Sequence, residues 1–200
     1  MCPKVTQNGS SLQIILPKSI CESTSIKAGD TLNLMTDGET ISLVRPKDHV
    51  QAGSSTLPLN VFTIGYESRT LDSFIDRLKR YGIKQLIDVR EKPISRKKGF
   101  SKNALRERLE EEDIRYVHIP AFGSPSDIRK EYKDGGSEKT FFSRYQEYLD
   151  SELGGEMGIL DEYVSSTESA LMCFELSHVH CHRKIIAKEL SNLGHNVVHI

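Results

Sequence analysis

The chain lacks the features that mark a secreted or membrane-spanning protein. Its 200 residues contain no run of about 18 apolar residues, so the sequence predicts no membrane span. Its first residues form no apolar secretory segment, and we therefore expect a cytoplasmic protein. The four cysteines are scattered rather than paired as C-x-x-C. In a reducing compartment they are expected to be free thiols, and they are Cys2, Cys21, Cys173 and Cys181.

An excess of charge of one sign is also absent. The formal net charge is -1, so an argument for nucleic-acid binding must come from local patches rather than from the whole chain. With 37% hydrophobic and 28% charged residues, the composition is that of an ordinary folded protein rather than a disordered one. The length suits one or two domains.

The character of the chain changes near residue 50. Residues 48–58 are polar, rich in small residues and without periodicity, which is typical of a linker. They separate a first part of short β segments, residues 1–47, from residues 59–200. In the first part, Asp37-Gly38 between two alternating segments predicts a hairpin. So small a piece buries little apolar surface, and we expect it to dimerise or to dock on the rest of the chain.

Residues 1–47 also carry recognisable motifs. These are Asn8-Gly9-Ser10-Ser11-Leu12, Ile15-Leu16-Pro17-Lys18-Ser19-Ile20 and Lys27-Ala28-Gly29-Asp30-Thr31-Leu32. They resemble the AbrB/SpoVT/MazE-type swapped-hairpin domain, and the resemblance implies an intertwined homodimer that often binds DNA, with Lys4 and Lys18 as candidate DNA contacts. Five basic residues against four acidic ones leave a local charge of only +1. Because DNA binding needs several phosphate contacts, a module that only dimerises is the alternative.

From residue 59 onward, predicted strands and helices alternate. The strands are expected at residues 61–64, 85–89, 116–119, 170–174 and 196–200. Helices are expected after the capping residues Thr70 and Ser101 and over residues 138–153, 157–166 and 181–193. This alternation predicts a Rossmann-like, mostly parallel sheet with helices on both faces. Functional groups in such a sheet are expected just after the strands.

Polar side chains do follow these strands. Tyr66 and Glu67 come after the first strand, and Asp88, Arg90 and Arg96 come at or after the second. Glu175 follows the fourth strand, and Cys181, His182 and Arg183 follow at the start of the next helix. We therefore predict that these groups meet at one edge of the sheet and form a polar pocket.

The segment over residues 90–108 is locally basic. Eight Lys or Arg residues against two Glu residues leave a charge of +6. A solvated charged face is the usual explanation, but this segment lies at the expected site and favours a polyanionic substrate such as nucleic acid. Tyr66 and Phe100 flank it and could stack on a base, although core packing is the commoner role of such aromatic residues.

Seven motifs occur in order along residues 60–200. They are Thr63-Ile64-Gly65-Tyr66, Ile87-Asp88-Val89-Arg90, Pro93-Ile94-Ser95-Arg96, Gly99-Phe100-Ser101, His118-Ile119-Pro120, Cys173-Phe174-Glu175 and Cys181-His182-Arg183. This part of the chain resembles the domain-of-unknown-function 488 family. The resemblance implies an α/β domain and supplies no reaction, so the function must be argued from the residues.

The Cys181-His182-Arg183 triplet has four interpretations. Binding of an anion by Arg183 and the helix amino terminus ranks first. A nucleophilic Cys181 ranks second, because the chain lacks the glycine-rich Cys-x5-Arg loop with which phosphatases wrap phosphate. A structural ion pair of Arg183 with Asp88 or Glu175 ranks third.

A metal site made of neighbouring residues ranks last. Its ligands would be His178, His180, Cys181 and His182, which come from five consecutive residues with no distant ligand pair of recognised spacing. The sequence therefore predicts no metal site, and it identifies no cofactor.

These observations combine into one functional prediction and one alternative. The candidate catalytic residues are Asp88, Glu175, Cys181 and His182, and the candidate substrate-binding residues are Tyr66, Glu67, Arg90, Arg96 and Arg183. Asp88 and Arg90 are equally well explained as a buried ion pair. We predict a protein that binds or acts on a nucleotide or nucleic acid and is dimerised, or recruited to DNA, by residues 1–47. The alternative is a non-enzymatic DNA-binding regulator whose α/β domain senses a small anion.

Overall fold

A computed structural model of the chain describes residues 5–8, 11–18, 20–21, 26–29, 33–36, 41–44, 60–153 and 155–200. The predicted linker, the Asp37-Gly38 turn and Lys4 lie outside these residues, whereas Lys18 is described and exposed. No helix in the described part of the chain has the length and apolar character needed to cross a membrane.

The described segments before residue 45 form two antiparallel pairs. Strand β1 (Val5–Asn8) pairs with β2 (Ser11–Ile14), and β3 (Asn33–Thr36) pairs with β4 (Ile41–Val44). The predicted β character of this part of the chain is confirmed at these residues. The swapped-hairpin homodimer and its DNA binding stay predictions.

A five-stranded parallel sheet forms the centre of the second part. Its strands are β5 (Asn60–Gly65), β6 (Gln85–Asp88), β7 (Arg115–His118), β8 (Ser169–Cys173) and β9 (Asn196–His199). They lie side by side in the order β7-β6-β8-β5-β9, and every pairing is parallel. The predicted Rossmann-like α/β fold is therefore confirmed.

Six helices connect and cover these strands. They are α1 (Leu71–Arg80), α2 (Lys102–Glu110), α3 (Ser126–Lys133), α4 (Glu138–Glu152), α5 (Glu156–Ser166) and α6 (Arg183–Asn192). The side chain of Thr70 accepts a hydrogen bond from the Ser73 amide and so caps α1, as its sequence position predicts. Helix α3 was not expected, because Ile128 is its only buried residue and Tyr132 is the only other apolar side chain in the segment.

The helices cover both faces of the sheet. Phe74 of α1 and Leu105 of α2 pack on one face, whereas Tyr145 of α4 and Ile186 of α6 pack on the other. Alternate residues of each strand point into the two cores, and fully burying one such side chain contributes about 1.5–3 kcal/mol.

This arrangement opens a crevice at the end of β8. The helix that follows β6 is α2, and the helix that follows β8 is α6. These helices pack on opposite faces although their strands are neighbours. The segments leaving the two strands therefore diverge, and a binding site is expected between them.

Candidate ligand-binding site

A cavity of about 740 Å³ lies at the carboxyl ends of β5, β6 and β8. Its lining holds one carboxylate, Glu175, and six basic side chains, which are Arg90, Lys92, Arg96, Lys97, Arg129 and Lys133. Four of the six come from the basic segment after β6, and the other two come from α3. The predicted convergence of polar groups at this edge is present, with α3 as an unexpected wall.

Two glycines allow the strand-end loops to approach each other closely. A Cβ atom at Gly65 would lie 1.9 Å from the carbonyl oxygen of Glu175. A Cβ atom at Gly123 would lie 2.1 Å from the backbone nitrogen of Glu91. Because real Cβ atoms do not tolerate such contacts with backbone, both positions require glycine. The loop that carries Glu175 therefore lies directly against Gly65, and the start of the basic segment lies directly against Gly123.

Asp88 and Arg90 form a buried ion pair at the end of β6. The Asp88 carboxylate accepts hydrogen bonds from Nε and Nη2 of Arg90, at 2.8 and 2.5 Å, and from the Tyr116 hydroxyl at 2.6 Å. Nη1 of Arg90 donates to the Tyr66 hydroxyl at 2.8 Å, and His118 Nε2 donates to the Arg90 carbonyl at 2.8 Å. The ion-pair interpretation therefore describes Asp88, which is fully buried and anchors the start of the basic segment.

The electrostatics of this network agree with its geometry. Burial alone would lower the pKa of Arg90, but the hydrogen bonds and charge of Asp88 outweigh it and raise that pKa. Burial and the nearby Asp88 charge also raise the pKa of Tyr116. The guanidinium stays charged and Tyr116 stays a hydrogen-bond donor, so Asp88 has no free oxygen with which to serve a substrate in the cavity.

Tyr66 and Phe100 stack on each other, and Tyr66 also contributes to the lining of the cavity. Their ring centroids are 4.3 Å apart with an angle of 9° between the planes, and both side chains are buried. The more exposed aromatic residues of the lining are Phe174 and Tyr132, with 43% and 41% of their surface accessible. The core-packing interpretation therefore describes Tyr66 and Phe100.

The basic residues of the lining differ in how far they are engaged. Lys97 donates to the carbonyls of Tyr66 and Glu67, and Arg129 pairs with Glu91. Apart from Arg90, which pairs with Asp88, the other Lys and Arg side chains of the described lining are Lys92, Arg96 and Lys133, and these three make no hydrogen bond or ion pair with the described residues. These three cations are available to an anionic ligand.

Two further polar groups lie near these cations, Ser124 in the lining and Glu91 outside it. The hydroxyl of Ser124 is buried, lines the cavity and has no hydrogen-bond partner in the described chain. Burial would raise the pKa of Glu91, but hydrogen bonds from Ser126 and Arg129 outweigh it and lower that pKa. The negative charge of Glu91 is therefore balanced by its own partners. The Ser124 hydroxyl, by contrast, has unused hydrogen-bonding capacity facing the cavity.

Four reactive side chains meet at the floor of the cavity. They are Cys173, Glu175, Cys181 and His182, and one ligand atom of each lies within 4.8 Å of all the others. Nδ1 of His182 is 3.8 Å from each of the two sulfurs, and Cys173 Sγ is 3.1 Å from a Glu175 carboxylate oxygen. Cys173 reaches the cavity, whereas Cys181 lies behind it in the core.

The pKa values of this cluster are strongly coupled. A hydrogen bond from the Cys181 thiol and the His182 imidazole lower the pKa of Cys173, while burial and the Cys173 charge raise the pKa of Cys181. Burial alone would lower the pKa of His182, but Cys173 raises it. Burial and Cys173 also raise the pKa of Glu175. These shifts all follow from the close approach of the two thiols, the imidazole and the carboxylate within one small buried cluster.

Some predicted site residues lie elsewhere. Arg183 is 1% exposed and donates to the carbonyls of Ile64 and Leu176, so it braces two loops and does not reach the cavity. The carboxylate of Glu67 is exposed and accepts from the Leu176 amide rather than lining the cavity. The expected anion contact through Arg183 therefore has no counterpart in this cavity.

The histidines of the predicted metal set also separate. His178 stacks on His199 with ring centroids 3.5 Å apart, and Nδ1 of His180 pairs with Glu138. Of that set, only Cys181 and His182 belong to the cluster. The other two members of the cluster are Cys173, the last residue of β8, and Glu175, two residues later.

Sequence reasoning missed Cys173 and the α3 wall as parts of the site, whereas Ser124 lies in a segment expected to follow the third strand. Cys173 was assigned to the apolar interior of a strand, although it is the last residue of β8. Its position two residues before Glu175 was the signal that could have identified it. Nothing in the sequence pattern identifies Lys133, because it depends on a helix that the pattern does not predict.

Comparison with known proteins identifies one protein family that matches the chain. Searches of curated proteins and of solved structures return no match to the chain. A family model described as domain of unknown function DUF488 matches residues 70–190, which include both polar strand ends and the whole cluster at the cavity floor. Because the match covers more than half of the chain, the protein belongs to the DUF488 family.

Proposed function

We propose that the α/β domain binds a nucleotide through its phosphate groups in the cavity at the end of β8. The observation that carries this proposal is the presence of three cations without partners, Lys92, Arg96 and Lys133, around a cavity whose lining has a single carboxylate. Phosphate oxygens accept charge-assisted hydrogen bonds from such groups, and each bond of this kind contributes about 1.5–3 kcal/mol. An anion is therefore the ligand class that this lining favours.

The remaining lining supports an organic ligand rather than phosphate alone. Phe174 and Tyr132 expose ring surface at the cavity, and base stacking on an aromatic side chain is worth about 1–3 kcal/mol. The partnerless hydroxyl of Ser124 offers one further hydrogen bond. A cavity of about 740 Å³ is also within the usual range for small-molecule sites.

The floor of the cavity suggests where a reaction would occur. Cys173, Glu175 and His182 reach the cavity and replace the predicted set, in which Asp88 and Cys181 had catalytic roles. We assign Asp88 to positioning, because its oxygens are occupied by Arg90 and Tyr116. Glu175 and His182 are the acid–base candidates, and the reaction itself is left open.

Calorimetric titration of the full-length protein tests the proposal. The ligands are nucleoside mono- and triphosphates, inorganic phosphate and a short single-stranded oligonucleotide. We expect Arg96→Ala to weaken nucleotide binding about 10–100-fold, because one charge-assisted bond is lost. Lys98→Ala is the matched control, since Lys98 is an exposed cation of the same segment that does not line the cavity.

Two results of this titration would count against a specific nucleotide site. Equal losses for Arg96→Ala and Lys98→Ala would mean that the segment attracts anions only through its overall charge. Unchanged affinity across the whole ligand panel after combining Arg96→Ala with Lys133→Ala would refute the proposal.

A DNA-binding regulator is a second candidate, supported by the two antiparallel strand pairs before residue 45. In that case the first part of the chain would supply both dimerisation and DNA affinity. We expect the full chain to elute as a dimer in a sizing experiment. DNA affinity that falls with Lys4→Ala and Lys18→Ala but not with Arg96→Ala, and that depends steeply on salt, would favour this candidate.

A further inference from the structure

We propose that Cys173, Cys181, His182 and Glu175 bind a zinc ion at the floor of the cavity. The sequence predicted no metal site, because it offered ligands only from consecutive residues. The fold instead joins two residues at the end of β8 with two residues at the start of α6. The inference needs no anion in the cavity, and with zinc bound Glu175 and His182 would act as ligands in place of the acid–base roles proposed above.

The distances within the cluster match a tetrahedral zinc site. With Zn–S bonds of about 2.3 Å and Zn–N bonds of about 2.0–2.1 Å, the sulfur–nitrogen edge of a tetrahedron is about 3.6 Å. Both sulfurs lie 3.8 Å from His182 Nδ1, and the Cys173–Glu175 edge is 3.1 Å. Since all four ligand atoms lie within 4.8 Å of one another, sub-ångström shifts would complete the coordination.

The imidazole of His182 is held in the orientation that a metal ligand requires. Its Nε2 lies 3.1 Å from the carbonyl oxygen of Val89, which can only accept, so Nε2 carries the hydrogen. In the neutral ring, Nδ1 then presents its lone pair to the two sulfurs. The ring of Tyr145 packs edge-on against His182 at 5.1 Å and fixes its plane. A carbonyl acceptor on the second ring nitrogen is the usual outer partner of a metal-bound histidine.

The donor set and its surroundings favour zinc over harder cations. Two thiolates and an imidazole select zinc, whereas magnesium and calcium take oxygen ligands. Both cysteines belong to an apolar core cluster, where two thiolates would be costly without a cation. Cys173, Cys181 and His182 are nearly inaccessible, while Glu175 is partly exposed. Glu175 is therefore the ligand that a group entering the cavity could displace.

Metal titration of the full-length protein tests the inference. The protein is treated with a chelator under reducing conditions and titrated with Co²⁺ and then Zn²⁺. We expect binding of about one ion per chain, with the visible absorption of tetrahedral cobalt and a thiolate-to-cobalt charge-transfer band. Cys173→Ser and Cys181→Ser should each weaken binding by more than the 10–100-fold typical of outer-sphere changes. Cys21→Ser is the matched control, because Cys21 is a free thiol outside the cluster.

A second measurement on the unsubstituted chain avoids dependence on the folding of variants. X-ray absorption of the zinc-loaded protein should show two sulfur neighbours at about 2.3 Å and two lighter neighbours at about 2.0–2.2 Å. Failure of the reduced protein to bind Co²⁺ or Zn²⁺ would overturn the proposal. Bound zinc without sulfur neighbours, or identical affinities in Cys181→Ser and Cys21→Ser, would overturn it equally.

Discussion

Replacing Asp88 by Asn removes the negative charge from an ion pair whose partners are both almost inaccessible to water. The carboxylate accepts from the backbone amide and the guanidinium of Arg90 and from the hydroxyl of Tyr116. An asparagine amide would direct N–H donors at one of these donors and would leave the Arg90 charge buried without a counter-charge. The change therefore disrupts the anchor of the basic segment.

The size of the effect follows from that burial. Removing one partner of a buried ion pair costs about 3–5 kcal/mol, against a total of about 5–15 kcal/mol for folding. For a urea m-value of about 2 kcal/mol/M, the midpoint of unfolding should fall by about 2 M. Nucleotide affinity should fall with it, because the segment that carries Arg96 begins at Arg90.

Urea unfolding followed by far-ultraviolet circular dichroism measures this midpoint, since the chain has no tryptophan to serve as a fluorescent probe. Asp72→Asn is the control, because Asp72 is exposed and its contact with Arg108 is long, at 4.0 Å. We expect its midpoint to be unchanged. If Asp88→Asn shifts the midpoint no more than Asp72→Asn but abolishes nucleotide binding, Asp88 acts on the ligand itself and the structural assignment is wrong.

Three further changes have defined outcomes. Gly123→Ala should lower both thermal stability and nucleotide affinity because its methyl group would meet the backbone of Glu91, whereas Gly155→Ala, which faces open space, should leave the affinity unchanged. Tyr145→Phe should destabilise by about 1–3 kcal/mol in urea unfolding, because the buried carbonyl of Phe122 loses its donor. The lowered pKa of Glu91 predicts stability that is present above about pH 4.5 and lost as pH falls through the folded value. Melting curves of the unsubstituted protein and Glu91→Gln should therefore converge at acid pH, and a difference that persists there would contradict this assignment.

The sheet was predictable because its strands are apolar runs bounded by turn residues. Residues 170–174 are a continuous apolar run, and residues 85–89 contain Leu86, Ile87 and Val89, as is typical of strands buried on both faces. Helix α1 was predictable from Thr70 at its start and the apolar period behind it. Helix α3 was not, because Ile128 and Tyr132 are its only apolar side chains and so short a pattern does not distinguish a helix from a loop.

Only the location of the site was predictable from the sequence. The rule that functional groups follow parallel strands indicated this edge of the sheet, and five of the residues it selected lie in the cavity lining, namely Tyr66, Arg90, Arg96, Glu175 and His182. It did not separate Cys173 from Cys181 or predict where Arg183 points, since both depend on how α6 packs against the sheet. Arg183 donates to the carbonyls of Ile64 and Leu176, and the contact with Ile64 joins residues far apart in sequence.

Gly65 and Gly123 determine how this pocket can be redesigned. Any side chain at either position displaces the backbone that carries Glu175 or Glu91, so substitution there would alter the whole cavity rather than one contact. Ile94 and Tyr132 line the same cavity with exposed side chains. A library intended to change ligand preference should diversify those two positions and keep both glycines, so that variation in chemistry is separated from loss of shape.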